Sequence, residues 1–468
     1  MRVYLLGTAV AAAWLSVSRL HRLQSCDSLV FSLASLYEWT PFFWEQDRVG
    51  MLLPLLVSPV RDPLANLIVL TGLMSFCGLL APLLFARLVC PHAGAYAAVT
   101  AGNALMVALG PVVLQENLYT TCVYPLALCL AVPAVGLLDR PTALRTLTAF
   151  GLLLLAHWVY LGAVLYVLPL AAGRWLVQPT RSRSWAAVRV GLALAVSVGL
   201  MSIAGGEWRR RHPEILNTPS GDLPLADWPK NWLAFLTTLA AHDGFAVWAG
   251  VVASAGVAGA MVPARRVRGE WVAVLPLVFA AGVELLLLGT RAWPAMNAYH
   301  PRYLLAAVPA VWAAVLVAGW GPVLRDRRAG WVAFALLAAA IGWQYGPPSL
   351  ANVRAELAAE AGKDTDDFLL SEAEAIGGEY MATWPAVWHA NYARHKLGLP
   401  TPVPGVTAKA SPWAWRWTTG ELRHGFRLAG PFDQQLQTRR WIAHHKLTVV
   451  GEPWQVGRLA VFTVRPAE

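Results

Sequence analysis

The sequence predicts a mainly α-helical, polytopic membrane protein of about eleven spans that ends in a small α/β domain. First, 57% of its 468 residues are hydrophobic and only 14% are charged, and the mean hydropathy is +0.49. Soluble chains are about one-quarter charged, so most of this chain needs lipid as its solvent. Second, apolar runs of membrane-spanning length recur as far as Tyr345. Third, charged residues become frequent from Gly346 onward. We therefore expect a transmembrane domain at residues 1–345 and an α/β domain at residues 346–468.

The expected spans follow from the apolar runs. Leu64–Ala86 is uncharged and long enough to cross a hydrocarbon core of about 30 Å, with Asp62-Pro63 as helix cap and first helical residue. Leu144–Gly173 is too long for one comfortable span and is interrupted at His157-Trp158. We expect two short helices that turn there, and one long tilted helix is the alternative. The other expected spans are Val3–Ser18 (a signal peptide is the alternative), Ala93–Val113, Leu118–Leu138, Trp185–Gly205, Phe245–Val262, Trp271–Gly289, Tyr303–Gly321 and Gly330–Tyr345.

The distribution of basic residues predicts the orientation. Residues 1–345 carry 24 Lys and Arg against 15 Asp and Glu, whereas residues 346–468 carry 13 against 12. In the transmembrane domain, fourteen basic residues fall in the segments that we assign to the inside and ten in those assigned to the outside. This bias predicts an inside N-terminus and an outside C-terminal domain. Because the arginines are scattered over short loops, the sequence argues against nucleic-acid binding.

The first outer loop, Cys26–Leu56, concentrates the residues that can carry chemistry. Asp27 opens it, and Ser28, Ser32 and Ser35 then fall on one side of a helical wheel with leucines and a valine on the other. This spacing predicts an amphipathic helix at the membrane surface. Aromatic rings that suit the headgroup region follow at Trp39, Phe42, Phe43 and Trp44. Charged side chains come next, at Glu45, Asp47 and Arg48.

Each candidate residue also has an ordinary structural role. Asp27 could cap a helix that begins at Ser28, and this is as consistent with the local sequence as catalysis. Asp47 could cap the run from Val49 or pair with Arg48. Glu116 lies at a predicted outer turn, where an exposed carboxylate needs no function.

Glu284, His300 and Arg302 belong to the later spans. Glu284 lies inside an otherwise apolar span, where an ionisable group is costly and usually faces a polar cavity. Arg302 could simply extend its charge toward the membrane interface at the end of its helix. His300 lies at a predicted outer turn with no second ligand at a metal-binding spacing.

The C-terminal region is predicted to be α/β. We expect a helix at Leu350–Ala361, strands at Lys446–Val450 and Arg458–Val464, and a helix at Phe432–His445. The region is also rich in rings, which form either a sugar-binding face or, as is more common, part of a core or a surface on the bilayer. These rings are Tyr380, Trp384, Trp388, Tyr392, Trp413, Trp415 and Trp417.

The order of these features resembles the GT-C superfamily, polytopic glycosyltransferases that use a polyprenyl-phosphate-linked sugar on the outer face of the membrane. The resemblance covers most of the chain. It rests on Asp27 in the first outer loop, the interfacial helix, the run FFWEQDRVG, the short mid-chain hairpin, His300-Pro301-Arg302-Tyr303 and the terminal domain with EYMATWPAVW. Many members have two adjacent acids in the first loop, whereas Asp27 is followed by Ser28.

The resemblance implies an inverting glycosyltransferase in a bacterial cytoplasmic membrane, with a glycan, lipid or protein as acceptor. Asp27 would be the base that takes the acceptor proton, and the leaving phosphate would contact arginines or a divalent cation, Mg²⁺ or Mn²⁺. The implied donor contacts are Arg48, Arg302 and Tyr303, and the secondary polar or metal candidates are Glu45, Asp47, Glu116, Glu284 and His300.

Two other functions stay open. A transporter or flippase for a lipid-linked or anionic solute would fit the membrane domain, but transporters commonly contain internal repeats, and we find none in this sequence. A non-catalytic relative that serves as an assembly partner would share the same features without transferring a sugar.

Overall fold

The computed structural model describes residues 1–18, 26–44, 49–109, 123–139, 142–177, 183–212, 223–241, 245–296, 304, 306–399, 401–407 and 425–467. These residues are mainly helical and include one small sheet near the C-terminus, as the sequence predicts. The helices are α1 Arg2–Ser16, α2 Cys26–Leu36, α3 Leu52–Val57, α4 Pro63–Val89, α5 Ala93–Leu109, α6 Tyr124–Leu138, α7 Ala143–Val159, α8 Val164–Val177, α9 Arg183–Arg211, α10 Trp228–Ala241, α11 Phe245–Ala260, α12 Ala264–Gly289, α13 Ala292–Met296, α14 Ala307–Trp320, α15 Arg327–Tyr345, α16 Leu350–Ala361, α17 Thr365–Leu370, α18 Tyr380–Lys396 and α19 Gln435–His444. The strands are β1 Ala375–Gly377, β2 Gly405–Val406, β3 Phe426–Pro431, β4 Leu447–Val456 and β5 Leu459–Pro466.

The chain forms two compact units. The first unit comprises Met1–Ser16, Gly72–Ala204 and Thr218–Pro348, and the second comprises Val17–Thr71, Gly205–Asn217 and Ser349–Glu468. The second unit therefore combines the first loop with the C-terminal region, whereas the boundary expected from the sequence places that loop with the other residues before 346. The assignment of residues 1–345 to a membrane domain and 346–468 to an extracytoplasmic domain stays a prediction.

Several helices have the length and composition of membrane spans. Among the described helices, three qualify, at Pro63–Val89, Val188–Arg211 and Val267–Gly289, and a fourth is reached only if α15 and α16 count as one broken span. Other apolar helices are shorter, with 10–17 residues. These helices are consistent with an integral membrane protein, and the total of about eleven spans stays a prediction.

The apolar face of α9 suits contact with lipid. Only 22% of its most apolar window is buried within the protein, compared with 72% for the window in α4. Leu192 and Ile203 on α9 are more than half exposed. Large exposed apolar faces are rare on soluble proteins, because apolar surface in contact with water is unfavourable, whereas contact with lipid carries no such penalty.

Local sequence signals predict the helix ends well. Asp62 caps α4, because its Oδ1 accepts a hydrogen bond of 2.8 Å from the Ala65 N–H. The predicted interruption of the long run 144–173 is confirmed, since α7 ends at Val159 and Tyr160 has extended backbone angles. His157 is not at a turn but in the last turn of α7, where it is buried and its Nδ1 lies 2.9 Å from Ser197 Oγ.

The second unit contains a five-stranded sheet with the order β2-β1-β3-β5-β4. β1 is parallel to β2 and β3, whereas β5 is antiparallel to both β3 and β4. Leu428 and Phe462 pair across β3 and β5, and both are buried in one core cluster with Ile442 of α19. The predicted helix at Leu350–Ala361 is confirmed as α16, the two predicted strands as β4 and β5, and the predicted helix at 432–445 as α19 preceded by a short 3₁₀ turn.

The rings of α18 belong to the core. Trp384 and Trp388 are fully buried and Tyr392 is 6% exposed. A sugar-binding face made of these three rings is therefore excluded, because buried rings cannot stack on a ligand. Trp413, Trp415 and Trp417 lie outside the described residues.

Candidate functional site

Asp27 contacts the beginning of α18 within the second unit. Its half-buried carboxylate lies in the first turn of α2, and Oδ1 accepts a hydrogen bond of 2.8 Å from the Tyr380 hydroxyl. The neighbouring Cys26 Sγ lies 3.0 Å from Met381 Sδ. Because α2 begins at Cys26, Asp27 lies inside the helix and does not precede it as the expected cap would. A carboxylate in a first helical turn is also favoured by the helix dipole.

A buried polar network holds α2 in place. Ser32 and Ser35 donate hydrogen bonds of 2.9 and 3.0 Å to Asn66 Oδ1. The Asn66 amide in turn donates to the carbonyl oxygens of Val57 and Val60 at 3.3 and 3.0 Å. These bonds satisfy polar groups that would be costly to bury alone.

The same network connects α2 to α18. Trp388 Nε1 donates a hydrogen bond of 3.1 Å to Ser32 Oγ, and the Trp44 and Trp384 rings pack with centroids 5.7 Å apart. The serine face of α2 is therefore buried, with Ser28, Ser32 and Ser35 each at most 3% exposed. Short serine side chains suit this close packing, since they supply hydroxyl groups where aliphatic side chains would leave polar partners unpaired.

The beginning of α18 is set by its own cap. Glu379 Oε2 accepts hydrogen bonds from the backbone N–H groups of Met381 and Ala382, at 3.0 and 3.2 Å. This carboxylate cap fixes the first turn of α18 and so positions Tyr380 toward Asp27. No signal in the sequence singles out Glu379 or Tyr380 for this role, because glutamate is not among the preferred N-cap residues.

Of the candidate site residues, the structure describes Asp27 and Glu284. The donor contacts Arg48, Arg302 and Tyr303 lie outside the described residues, as do Glu45, Asp47, Glu116 and His300. Their expected roles stay predictions.

Glu284 contacts the beginning of a helix within the first unit. Its carboxylate is 6% exposed, and the backbone N–H groups of Ala306 and Ala307 donate to it. Ala306 precedes α14 and has no side chain able to cap that helix. Glu284 therefore supplies from α12 the acceptor that the helix start lacks. The expected polar cavity beside Glu284 stays a prediction.

One group of described residues has the composition of a metal site. The ligand atoms of Cys90, His92 and Glu270 lie within 4.8 Å of one another. Glu270 Oε1 is, however, already 2.9 Å from His92 Nε2 and 3.0 Å from an Arg325 guanidinium nitrogen. Burial also raises the pKa of the Cys90 thiol, which disfavours the thiolate that metals bind. The arrangement is better explained as an ion-pair network than as a metal centre. The Cys90-Pro91-His92 spacing is the sequence signal for this group.

No protein-family model, curated protein or solved structure matches this chain.

Proposed function

We propose that this protein is an inverting glycosyltransferase that moves a sugar from a polyprenyl-phosphate donor to an acceptor on the outer face of a bacterial cytoplasmic membrane. The observation that carries the proposal is the hydrogen bond from the Tyr380 hydroxyl to Asp27 Oδ1, 2.8 Å long, in the unit that combines the first loop with the C-terminal region. This hydrogen bond supports a role for Tyr380 in positioning the carboxylate and a role for Asp27 as the general base.

In this proposal Asp27 acts as the general base. Tyr380 contacts Oδ1, so Oδ2 is the oxygen through which Asp27 would take the proton of the acceptor hydroxyl. The hydroxyl oxygen then attacks the anomeric carbon as the bond to the phosphate oxygen breaks, and this single displacement inverts the anomeric centre. A base that is held in one orientation loses less entropy on the way to the transition state.

The leaving phosphate gains negative charge, which cationic groups must stabilise. Arg48 and Arg302 are the proposed contacts, with Tyr303 as a hydroxyl donor. Glu45, Asp47, Glu116 or His300 would hold a divalent cation, Mg²⁺ or Mn²⁺, beside the phosphate. Such a cation would act as a Lewis acid toward the phosphate oxygens.

The test is sugar transfer by the purified protein from labelled polyprenyl-phosphate sugars. Asp27→Asn should reduce the rate by roughly 100- to 10,000-fold with a nearly unchanged melting temperature, because asparagine is similar in shape but cannot take the proton. Asp62→Asn is the matched control, since Asp62 caps α4 and asparagine caps about as well as aspartate.

Near-normal transfer by Asp27→Asn would overturn the assignment of the base. Binding of the donor without transfer by the wild-type protein would instead favour a non-catalytic assembly partner. Movement of the labelled lipid or of an anionic solute across a vesicle membrane, without transfer, would favour the transporter or flippase.

A further inference from the structure

We propose that the C-terminal sheet carries a binding site for a neutral, hydroxyl-rich ligand of the carbohydrate class, in the crevice at the carboxyl ends of β1 and β3. This inference goes beyond the proposed transfer reaction, because binding at the crevice can be measured whether or not transfer occurs.

The topology of the sheet creates the crevice. From β1 the chain passes through α18 to β2 on one side, and from β3 it passes through α19 to β4 on the other side. Both connections join parallel strands, because β4 and β3 are each antiparallel to β5. Such crossovers are right-handed in nearly all proteins. Since the two connections run in opposite directions along the sheet, α18 and α19 lie on opposite faces.

Packing supports this arrangement. Ile442 of α19 shares a core cluster with Ala375 and Leu428, whereas Trp384 of α18 packs closely over Gly405 of β2. Strands whose connections leave toward opposite faces form a topological switch point. In open α/β sheets, ligands bind in the crevice at the carboxyl ends of the strands at such a point.

A cavity lies at this position. Its volume is about 530 Å³, within the range of small-molecule sites. Residues that follow both strands line it, with Met381 and Thr383 after β1 and Phe432, Asp433 and Gln434 after β3. The switch point predicted by topology and the cavity found by geometry therefore coincide.

Three buried polar atoms of the cavity lining have no hydrogen-bond partner among the described residues. They are Thr383 Oγ1, on a side chain that is 2% exposed, Gln434 Oε1, and Asp364 Oδ1, which lies 3.9 Å from an Arg458 guanidinium nitrogen. Native proteins leave few buried polar atoms unpaired, so each such atom calls for an explanation. A ligand with hydroxyl groups would satisfy all three, because a hydroxyl can donate to the amide and carboxylate oxygens and either donate to or accept from threonine.

The charges of the lining favour a neutral ligand. Lys363 and Arg458 are balanced by Asp364 and Asp433, and Arg458 lies 3.9 Å from Asp364. The start of α18, where a phosphate would bind in many α/β sheets, is already occupied by the Glu379 carboxylate. An anion would therefore be repelled at the position where this fold usually attracts one.

Apolar side chains in the cavity also suit a sugar. Phe368, Pro385 and Phe432 line the same cavity as the polar groups. A sugar ring presents hydroxyl groups at its edge and C–H groups on its faces, so it can use both kinds of contact. Ligand sites commonly combine an apolar lining with a few polar groups that fix orientation.

The experiment measures binding of neutral methyl glycosides and their oligosaccharides to the full-length protein in detergent, by calorimetry and ligand-observed NMR. Inorganic phosphate and sugar phosphates serve as anionic probes. Thr383→Val and Gln434→Leu should each weaken glycoside binding by about tenfold or more. Thr448→Val and Gln437→Leu are the matched controls, because both positions are exposed outside the cavity lining, and they should bind as the wild type does. Melting temperatures of all four variants check that folding is retained.

Wild-type affinity in both cavity variants, tighter binding of phosphate than of any glycoside, or no glycoside binding at all would overturn the proposal. If a polyprenyl-phosphate sugar competes with the glycoside and Thr383→Val weakens this competition, the occupant is the donor sugar. If the polyprenyl-phosphate sugar does not compete, the occupant is a sugar of the acceptor. Glycoside binding is measured in the absence of any donor and so does not depend on transfer. A failure of transfer in the wild-type protein would therefore count against the proposed reaction and not against this site.

Discussion

At the scale of single residues, Asp27 and Tyr380 show how a weak local signal becomes specific in the folded chain. Alone, an aspartate near a helix start has an ordinary capping explanation. Its bond to a hydroxyl 353 residues away in sequence is not explained by capping.

Tyr380→Phe removes the hydroxyl that contacts Asp27 and keeps the ring. Because the base is then less well positioned, we expect sugar transfer to fall by about tenfold, much less than for Asp27→Asn. Tyr392→Phe, on the same helix, should transfer at the wild-type rate. Equal losses in the two tyrosine variants would indicate that the effect comes from α18 as a whole.

His445 makes stability depend on pH. Burial lowers the pKa of His445 below its usual value, the hydrogen bond of 2.6 Å between its Nε2 and the Thr407 carbonyl oxygen partly opposes this shift, and the neighbouring His444 lowers the pKa further. The unfolded chain therefore binds more protons than the folded chain between the two pKa values. The stability from neutral His445 is present above the unfolded pKa of about 6.5 and is lost as pH falls toward the folded pKa.

We expect the melting temperature of the full-length protein to fall between about pH 7 and about pH 5. The pKa of His389 is also lowered, mainly by burial, so it contributes with the same sign. His445→Gln should reduce the slope of melting temperature against pH, whereas His444→Gln, at an exposed position, should leave most of that slope. Tryptophan fluorescence during heating measures the transition, and identical slopes in both variants would exclude His445 as the source.

At the scale of elements, side chains of one segment complete the hydrogen bonding of another. Asn66 of α4 accepts from two serines of α2 and donates to two carbonyl groups near α3. Glu284 of α12 provides the acceptor for the start of α14. Buried polar groups of this kind make a fold specific, because a shifted packing would leave them unpaired.

Asn66→Leu keeps the branch at Cγ but removes both the acceptor and the donor. We expect it to lower the free energy of unfolding by about 3 kcal/mol, since Ser32, Ser35 and the carbonyl groups of Val57 and Val60 each lose one hydrogen bond. Ser58→Ala, which removes an exposed hydroxyl bond, should cost under about 0.5 kcal/mol. Denaturant titration in detergent measures the free energy of unfolding of both variants. Equal losses would mean that water satisfies the groups that Asn66 pairs in the wild type.

Glu284→Gln keeps a side-chain oxygen for the backbone N–H groups of α14, whereas Glu284→Leu does not. The leucine variant should therefore be less stable than the glutamine variant by about 1–3 kcal/mol. Equal stability of the two variants would show that the cap is dispensable. Leu286→Gln, at an exposed apolar position two residues along α12, tests whether a glutamine is tolerated in that helix.

At the scale of the whole molecule, the proposed chemistry depends on topology. A polyprenyl-linked donor on the outer face requires Asp27 and the C-terminal region to lie outside. A reporter that is active only outside the cytoplasm should be active after Glu468 and silent after Arg328. The reverse pattern would place Asp27 on the cytoplasmic side and contradict the proposed donor.

Local sequence alone determined most helices and part of the sheet. The cap at Asp62, the interruption after Val159, helix α16 and strands β4 and β5 follow from caps, breakers and apolar periodicity, which act over a few residues. The strands β1 and β2, of three and two residues, are too short to show such a periodicity. They form only by pairing with neighbouring strands.

Tertiary structure decided which residues meet. Tyr380 reaches Asp27 because the first loop and α18 pack in one unit, and Ser32 is buried because Trp388 and Asn66 cover it. The crevice beside β1 and β3 depends on the order of strands, which no stretch of the chain encodes locally. Periodicity and caps reflect the free energy of neighbouring residues, whereas these contacts reflect packing between segments hundreds of residues apart, so only the folded chain determines them.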